Sequence, residues 1–542
     1  MNQKVNYGRE AIKSKLRSAE FDLLIIGGGI TGAGIALDAV LRGMKVALVE
    51  KGDFASGTSS HSTKLIHGGL RYLKQFEFGL VSEVGRERTI LHHLAPHLVL
   101  PEKMLLPIVN GGTFGKTSTY FGLWLYDLLA GVRPADKKQM LSAAECLALA
   151  PLLKKEGLLA GGLYAEYRTD DARLTLEVLK AAMRHGAVCL NYTSFVQFHE
   201  QKGTLYGATC RDELTGDAFA VKAAYVVNAT GPWVDELREK ASALTGKRLF
   251  LSKGVHVVVS QQRFPLRQAV YFEVPGGRMM FAIPRHRCTY LGTTDTPFKG
   301  DLNHVWAKPA DVEYILAGAN FMFPSLRLGR GDVESTWAGL RPLIYEKGET
   351  VGETSRKDEI FIAANGLISM AGGKLTGYRK MAERVVDILV KKFKKEHGKK
   401  FGPCRTAHEP LAERPFRDSA EVTAFEKNLQ REFPSLAAET HLIPSLVEAF
   451  GRNAANILAG ANNSSLLQSE LDFCWANEML VKPLDFLVRR TGRLYFDIAR
   501  AEAEKDAVLE AFSHRFDWSE KQLSAERTAV QEAFCRAKVH DC

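Results

Sequence analysis

Phe21-Asp-Leu-Leu-Ile-Ile-Gly27-Gly-Gly-Ile-Thr-Gly32 decides the fold of this chain. Its first six residues are apolar except for Asp22 and read as a buried strand, which three glycines then interrupt. A helix is expected from about Gly29 to Arg42, with Gly43 to stop it, and Lys45-Val-Ala-Leu-Val-Glu50 repeats the buried-strand pattern. Strand, helix and strand in this order make one unit of a parallel sheet. The spacing Gly27-x-Gly29-x-x-Gly32, with the acidic Glu50 closing the second strand, is the fingerprint of dinucleotide binding. Gly27 permits the tight turn, Gly29 lets backbone approach a pyrophosphate, and Gly32 lets the helix pack on the strand. The helix start at Ile30 and Thr31 offers unpaired N–H groups and a positive dipole end to phosphates, and Glu50 suits a ribose hydroxyl.

Around this unit lie 542 residues, 46% hydrophobic and 25% charged, enough for two to four domains with large cores. Disordered, collagenous and small disulfide-bonded classes are excluded. The eight cysteines are scattered without a C-x-x-C pair, as expected of reduced thiols in a cytoplasmic protein with no metal site. The uncharged stretch from Leu23 to Leu37 is too short and too rich in glycine to span a bilayer, and the basic segment 1–20 lacks the apolar core of a leader. A net charge of +10 fits nucleic acid, an anionic membrane or an anionic substrate. No aromatic-interleaved basic motif supports nucleic acid. Lys391, Lys392, Lys394, Lys395, Lys399 and Lys400 read either as the solvated end of a helix or as a contact with anionic lipid headgroups. The apolar run Tyr120–Tyr126 reads as core packing or as a second membrane contact.

Further along, helices are expected at Leu80–Leu94 and Leu174–His185. Strands are expected at Val188–Asn191, Tyr225–Asn228, Val255–Val259, Ala269–Val274, Arg278–Ile283 and Thr289–Gly292, with Pro275-Gly276-Gly277 as an antiparallel turn. A single strand is expected at Phe361–Met370, running into Gly372-Gly373 and a helix to about Lys395. After Gly402-Pro403 the pattern is helical, with Leu442–Leu458 and Met479–Glu504 as examples. Ala229, Thr230 and Gly231 close a strand and resemble the second FAD contact of flavoproteins with two dinucleotide folds. A second G-x-G-x-x-G is missing, so one FAD and no nicotinamide site is expected.

Seven motifs in order carry a wider resemblance. Gly27-x-Gly-x-x-Gly32, Thr58-Ser-Ser-His-Ser-Thr-Lys64-Leu-Ile-His67-Gly-Gly-Leu-Arg71-Tyr, Asp170-Asp-Ala-Arg173, Asn228-Ala-Thr-Gly-Pro-Trp233, Gly292-Thr-Thr-Asp295, Gly339-Leu-Arg-Pro-Leu343 and Gly372-Gly-Lys-Leu-Thr-Gly-Tyr-Arg379 resemble aerobic, FAD-dependent glycerol-3-phosphate dehydrogenases. The resemblance implies an α/β chain: a two-dinucleotide-fold FAD domain, a mixed antiparallel substrate sheet and a C-terminal all-α domain. The expected boundaries are a basic segment at 1–20, flavin parts at 21–110, 161–235 and 335–400, substrate parts at 111–160 and 236–334, and a helical domain at 404–542. It further implies oxidation of the C2 hydroxyl of sn-glycerol 3-phosphate to dihydroxyacetone phosphate, with electrons passed through FAD to a membrane quinone. The chain is then expected in the cytoplasm, peripheral to the inner face of an anionic plasma membrane, with pairing into a homodimer left open. An O2-using oxidase and a flavin amine oxidase are the neighbouring readings.

That chemistry needs cations for a phosphate dianion and a base for the hydroxyl proton. Arg71 and Arg341 offer bidentate forks, and Lys374, after two glycines and before a helix start, offers a charge to a reduced flavin or substrate anion. His67 is the expected base, because an imidazole titrates near neutrality, with His61 and Lys374 as rivals. FAD contacts are expected from Thr58, Ser59, Ser60, Lys64, Leu65, Gly68, Gly69, Gly372, Gly373, Lys374, Leu375 and Thr376, besides the residues named above.

Overall fold

The computed structural model describes residues 8–67, 78–130, 137–345 and 358–539. Strand Glu20–Ile26 lies inside an eight-stranded sheet, flanked in parallel by Val46–Val49 and Ala218–Asn228. Val188–Leu190 and Ile368–Gly372 extend the parallel part on either side. Strands buried on both faces read as unbroken apolar runs, and Val46–Val49 is buried at every residue. Helix Ile30–Leu41 covers one face together with Asp171–Arg184 and Tyr378–His397.

Two of the fingerprint glycines are required by close approach. Gly27 has φ 115°, and a Cβ there would stand 2.5 Å from the Ala229 carbonyl oxygen; a Cβ on Gly32 would overlap the carbonyl of Gly27. Phe361–Met370 is not one strand. Asp358–Ile362 and Ile368–Gly372 pair antiparallel, and the chain reverses at Asn365-Gly366, where Gly366 has φ 90°. An Asn-Gly pair is a turn signal that outranks the apolar run around it.

The second sheet has ten strands, among them Arg248–Ser260, Ala269–Val274, Arg278–Arg285, Cys288–Gly292 and Val333–Tyr345. Pro275-Gly276-Gly277 forms the turn between two of them, with the Gly277 N–H donating to the Val274 carbonyl. Leu100–Val109, Leu158–Arg168 and Val333–Tyr345 all belong to this sheet, so strands from both sides of positions 110, 161 and 335 share it.

Beyond residue 404 the described chain is helical. Leu442–Leu458 divides at Gly451 into Leu442–Phe450 and Ala454–Gly460. Met479–Glu504 is broken more severely: a π-helical turn at Asp485–Arg490, a left-handed Gly492, a short helix Arg493–Phe496, and then Ile498–Phe516, capped by Asp497. The apolar core of this domain runs without interruption into Tyr290 and Trp337 of the ten-stranded sheet. At the other end of the chain, helix Arg9–Ser18 is docked. Arg9 donates to Asp212 at 2.8 Å and to the Asn191 carbonyl at 2.9 Å, and the buried Lys13 lies 3.0 Å from Asp212. These two cations serve the fold, anchoring the basic N-terminal segment on Asp212 and Asn191.

Candidate active site

A cavity of about 290 Å³ opens at the carboxyl end of the parallel strands. This is where ligands bind in open α/β sheets. The glycine turn forms its first wall, with Gly27, Gly29, Ile30 and Thr31 on the lining. Ser59 stands across from it, and its Oγ accepts the Ile30 N–H at 2.9 Å. Glu50 also lines the cavity. Its carboxylate accepts from Gly28 N–H at 2.7 Å and Gly52 N–H at 2.9 Å. Burial pushes the Glu50 carboxyl above its ordinary range, and those two N–H groups oppose the rise.

Ala229, Thr230 and Gly231 form the second wall. Asn228 braces them, its Oδ1 accepting from the Thr230 hydroxyl at 2.7 Å and its Nδ2 donating to the Val234 carbonyl. A Cβ on Gly231 would meet no protein atom within 4 Å, so this backbone faces open space. Gly372 and Gly373, both at positive φ, lead to Lys374 and Leu375 on the third wall. Thr58 also lines the cavity, and its hydroxyl donates to the Leu340 carbonyl at 2.7 Å.

Several expected residues lie behind the wall. Gly32 packs on Gly27. Ser60 is buried under the Gly57–His61 turn. Leu65 pairs with Arg168 in the ten-stranded sheet. Lys64 is buried in an ion pair with Asp171, with Asp170 3.7 Å away, so its charge is spent inside the protein. Thr376 is buried too, its hydroxyl donating to the His67 carbonyl at 3.3 Å, which ties His67 to the turn carrying Lys374. Gly68, Gly69 and Arg71 lie outside the described residues.

Arg341 approaches from strand Val333–Tyr345, next to Pro342 on the cavity lining. Its fork is oriented by the 293–295 turn: Nη2 donates to the Thr293 hydroxyl at 2.8 Å and Nη1 to the Thr294 carbonyl at 3.1 Å. Nη1 also lies 3.4 Å from Asp295. Beside it sits His256, which the sequence reading did not single out. Its ring stacks on Trp337 at 4.7 Å and its Nε2 bonds the Thr63 hydroxyl at 3.0 Å, while Nδ1 is buried with no hydrogen-bond partner. Burial, and then the charges of Arg341 and Lys64, hold His256 well below its ordinary pKa, so the ring is neutral. A Cβ on Gly292 would overlap this ring, which explains the glycine of Gly292-Thr-Thr-Asp295. The one sequence signal for His256 was a polar residue inside the valine run Val255–Val259, where a core strand needs none.

Comparison with known proteins agrees with this geometry. Residues 22–379 match the family described as FAD dependent oxidoreductase, and residues 404–523 match the C-terminal domain of alpha-glycerophosphate oxidase. The aerobic glycerol-3-phosphate dehydrogenase of Bacillus subtilis (strain 168) is 48% identical over 95% of this chain and 94% of its own length. That of Staphylococcus aureus (strain USA300) is 48% identical over 98% and 97%. The crystal structure of the glycerol-3-phosphate dehydrogenase from Bacillus halodurans complexed with FAD has a TM-score of 0.83 and 42% identity, covering 98% of this chain and 97% of that one. A reduced, FAD-bound alpha-glycerophosphate oxidase from Mycoplasma pneumoniae, 20% identical with a TM-score of 0.57, shares the fold over 73% of this chain. The glycine-lined cavity suits the cofactor of this family, FAD, and the chain belongs to the aerobic, FAD-dependent glycerol-3-phosphate dehydrogenases.

Proposed function

We propose that this enzyme oxidises the C2 hydroxyl of sn-glycerol 3-phosphate to dihydroxyacetone phosphate and delivers the electrons to a membrane quinone. FAD, when bound, supplies the two-electron acceptor. The observation that carries the reading is that the cavity lining joins segments far apart in sequence: Pro342, which follows Arg341 in the chain, and Lys374, whose turn Thr376 ties to the His67 carbonyl. Arg341, braced by Thr293 and Thr294, presents a fixed fork to a phosphate, and arginine matches that geometry better than lysine. Lys374 offsets negative charge that develops on substrate or cofactor. His67 takes the hydroxyl proton. Gly27, Gly29, Ile30 and Thr31 hold the pyrophosphate, Glu50 a ribose hydroxyl, and Ala229–Gly231 and Gly372–Leu375 the remaining walls.

A quinone acceptor requires access to lipid. No helix among the described residues is long and apolar enough to cross a membrane. Helix Lys116–Ala130 offers a surface attachment instead. Leu123 and Tyr126 face the core, whereas Phe121 and Trp124 are 60% and 50% exposed, together with Tyr120 and Leu128. Lys116 and Lys137 are exposed nearby in sequence. Such a helix face suits an anionic bilayer surface.

Anaerobic titration of the purified holoenzyme tests the reading. Bleaching of flavin absorbance by sn-glycerol 3-phosphate, and not by glycerol or an amino acid, with faster recovery on a quinone analogue than on air, is the expected result. Faster recovery on air makes it the oxidase suggested by the match of residues 404–523, and no bleaching by the ester overturns the substrate. In the same assay His67→Ala lowers kcat with FAD retained, while Arg341→Ala raises KM about 10–100-fold.

A further inference from the structure

The C-terminal helical domain reaches the flavin site through one short helix. Tyr495, on Arg493–Phe496, has its hydroxyl 3.1 Å from His61 Nε2. His61 Nδ1 lies 2.7 Å from the Gly57 carbonyl, which can only accept, so Nδ1 carries the proton and the Tyr495 hydroxyl donates to Nε2. His61 thereby closes the turn whose residues Gly57, Thr58 and Ser59 line the cavity. The backbone of His61 is itself locked, because a Cβ on Gly339 would stand 2.5 Å from its carbonyl oxygen.

The Tyr495 ring has a second effect. It lies 5.5 Å from Trp337, as does Phe496, and Trp337 stacks on His256 within 11° of parallel. The Trp337 indole N–H donates to the Ser62 carbonyl at 3.0 Å, which ties the stack to the 57–63 loop. The neighbouring turn of the helical domain grips the same loop further back: Arg490 and Arg489 close on the buried Asp53, each within 2.6 Å.

We propose that Tyr495 is a positioning residue for the flavin site: its hydroxyl orients His61 beneath the Gly57–Ser59 turn, and its ring, with Phe496, holds Trp337 against His256. This deepens the functional reading and rests on it for the choice of substrate.

The test uses the full-length, FAD-loaded protein as Tyr495→Phe, Tyr495→Leu and a control, Tyr192→Phe. Tyr192 donates to Asp485 at 2.6 Å, so the control removes one hydroxyl bond from the same domain seam, away from His61. Visible circular dichroism of the bound flavin and anaerobic bleaching by sn-glycerol 3-phosphate are followed from pH 5 to pH 9. The groups facing His61 are Ser60, Lys64, Asp171, His256, Arg489 and Tyr495. Without the Tyr495 hydroxyl, protonation of His61 Nε2 becomes easier. Burial holds His61 at about 4, and loss of one hydroxyl bond raises it by less than about one pH unit, so Tyr495→Phe gains an acidic limb with bleaching about 2-fold slower than wild type near pH 5 and close to wild type above pH 7. Tyr495→Leu is slower at every pH and changes the visible dichroism, whereas Tyr192→Phe changes neither. Wild-type profiles in both Tyr495 variants, or changes matched by Tyr192→Phe, overturn the proposal. If the ester does not bleach wild-type flavin, the substrate reading fails, and the dichroism comparison, which needs no substrate, decides Tyr495 separately.

Discussion

The two ends of the cavity are built by different means. At the glycine end, backbone meets backbone, Gly27 against Ala229 and Gly32 against Gly27, with the Glu50 side chain accepting from two N–H groups beside them. At the other, behind the lining residues Gly57, Thr58 and Ser59, side chains from sequence-distant segments stack and bond: His61, His256, Trp337, Arg341 and Tyr495. Backbone contacts tolerate almost no change, because the only adjustable variable is the presence of a Cβ. Side-chain contacts are graded, since each can be trimmed by one functional group.

Gly32→Ala should make the largest difference. Its Cβ overlaps the Gly27 carbonyl, and backbone cannot move aside as a flexible side chain can. Retained FAD is expected to fall below about a tenth of wild type, read from the ratio of visible to ultraviolet absorbance. Retention of FAD by this variant would break the comparison at its stronger end.

Asp53→Ala comes next, at the grip between the two ends. It removes the carboxylate that both buried guanidiniums share and leaves Arg489 with Asp485 and Arg490 with Glu478, a loss of about 3 kcal/mol by denaturant unfolding. The pH dependence has a definite sign. Burial would raise the Asp53 carboxyl, but Arg490 and then Arg489 outweigh it and hold it at about 2. A folded value below the unfolded one of about 3.9 stabilises above pH 4, and that stabilisation, roughly 2–3 kcal/mol, is lost as pH falls from 4 towards 2. The variant should lack this component of acid sensitivity.

Thr63→Val should have the smallest effect. It removes the hydroxyl bonded to His256 Nε2 and leaves both nitrogens of the buried ring unbonded, at about 1–2 kcal/mol, with FAD content unchanged. A loss comparable to that of Asp53→Ala would show that the side-chain end is as intolerant as the glycine end.

The same contrast explains what could be read from the chain alone. The Gly27–Gly32 turn, its flanking strands and Glu50 are local, and each follows from spacing, so both the sheet and the cofactor class were legible. The Tyr495–His61 bond joins residues more than four hundred positions apart, and no periodicity encodes it. Met479–Glu504 carries helical periodicity, yet Asp53 draws Arg489 and Arg490 inward, and a left-handed Gly492 then breaks the run. Lys64 shows the reverse case. A lysine in a motif beside a cofactor reads as a contact, but two adjacent carboxylates, Asp170 and Asp171, claim it from behind the wall.

The parallel pairing of Glu20–Ile26 also orders events while the chain is being made. Its neighbour Val46–Val49 leaves the ribosome almost at once, whereas its other neighbour, Ala218–Asn228, follows about 180 residues later. At roughly 5–20 residues per second this interval lasts on the order of 10–40 s. Throughout it, an apolar strand keeps one edge of N–H and C=O groups bare, a template for pairing with another nascent chain. Helix Arg9–Ser18 cannot shield that edge, since its anchor Asp212 emerges only just before the missing strand. The glycine turn, made early, therefore waits for Ala229 before its second wall is in place.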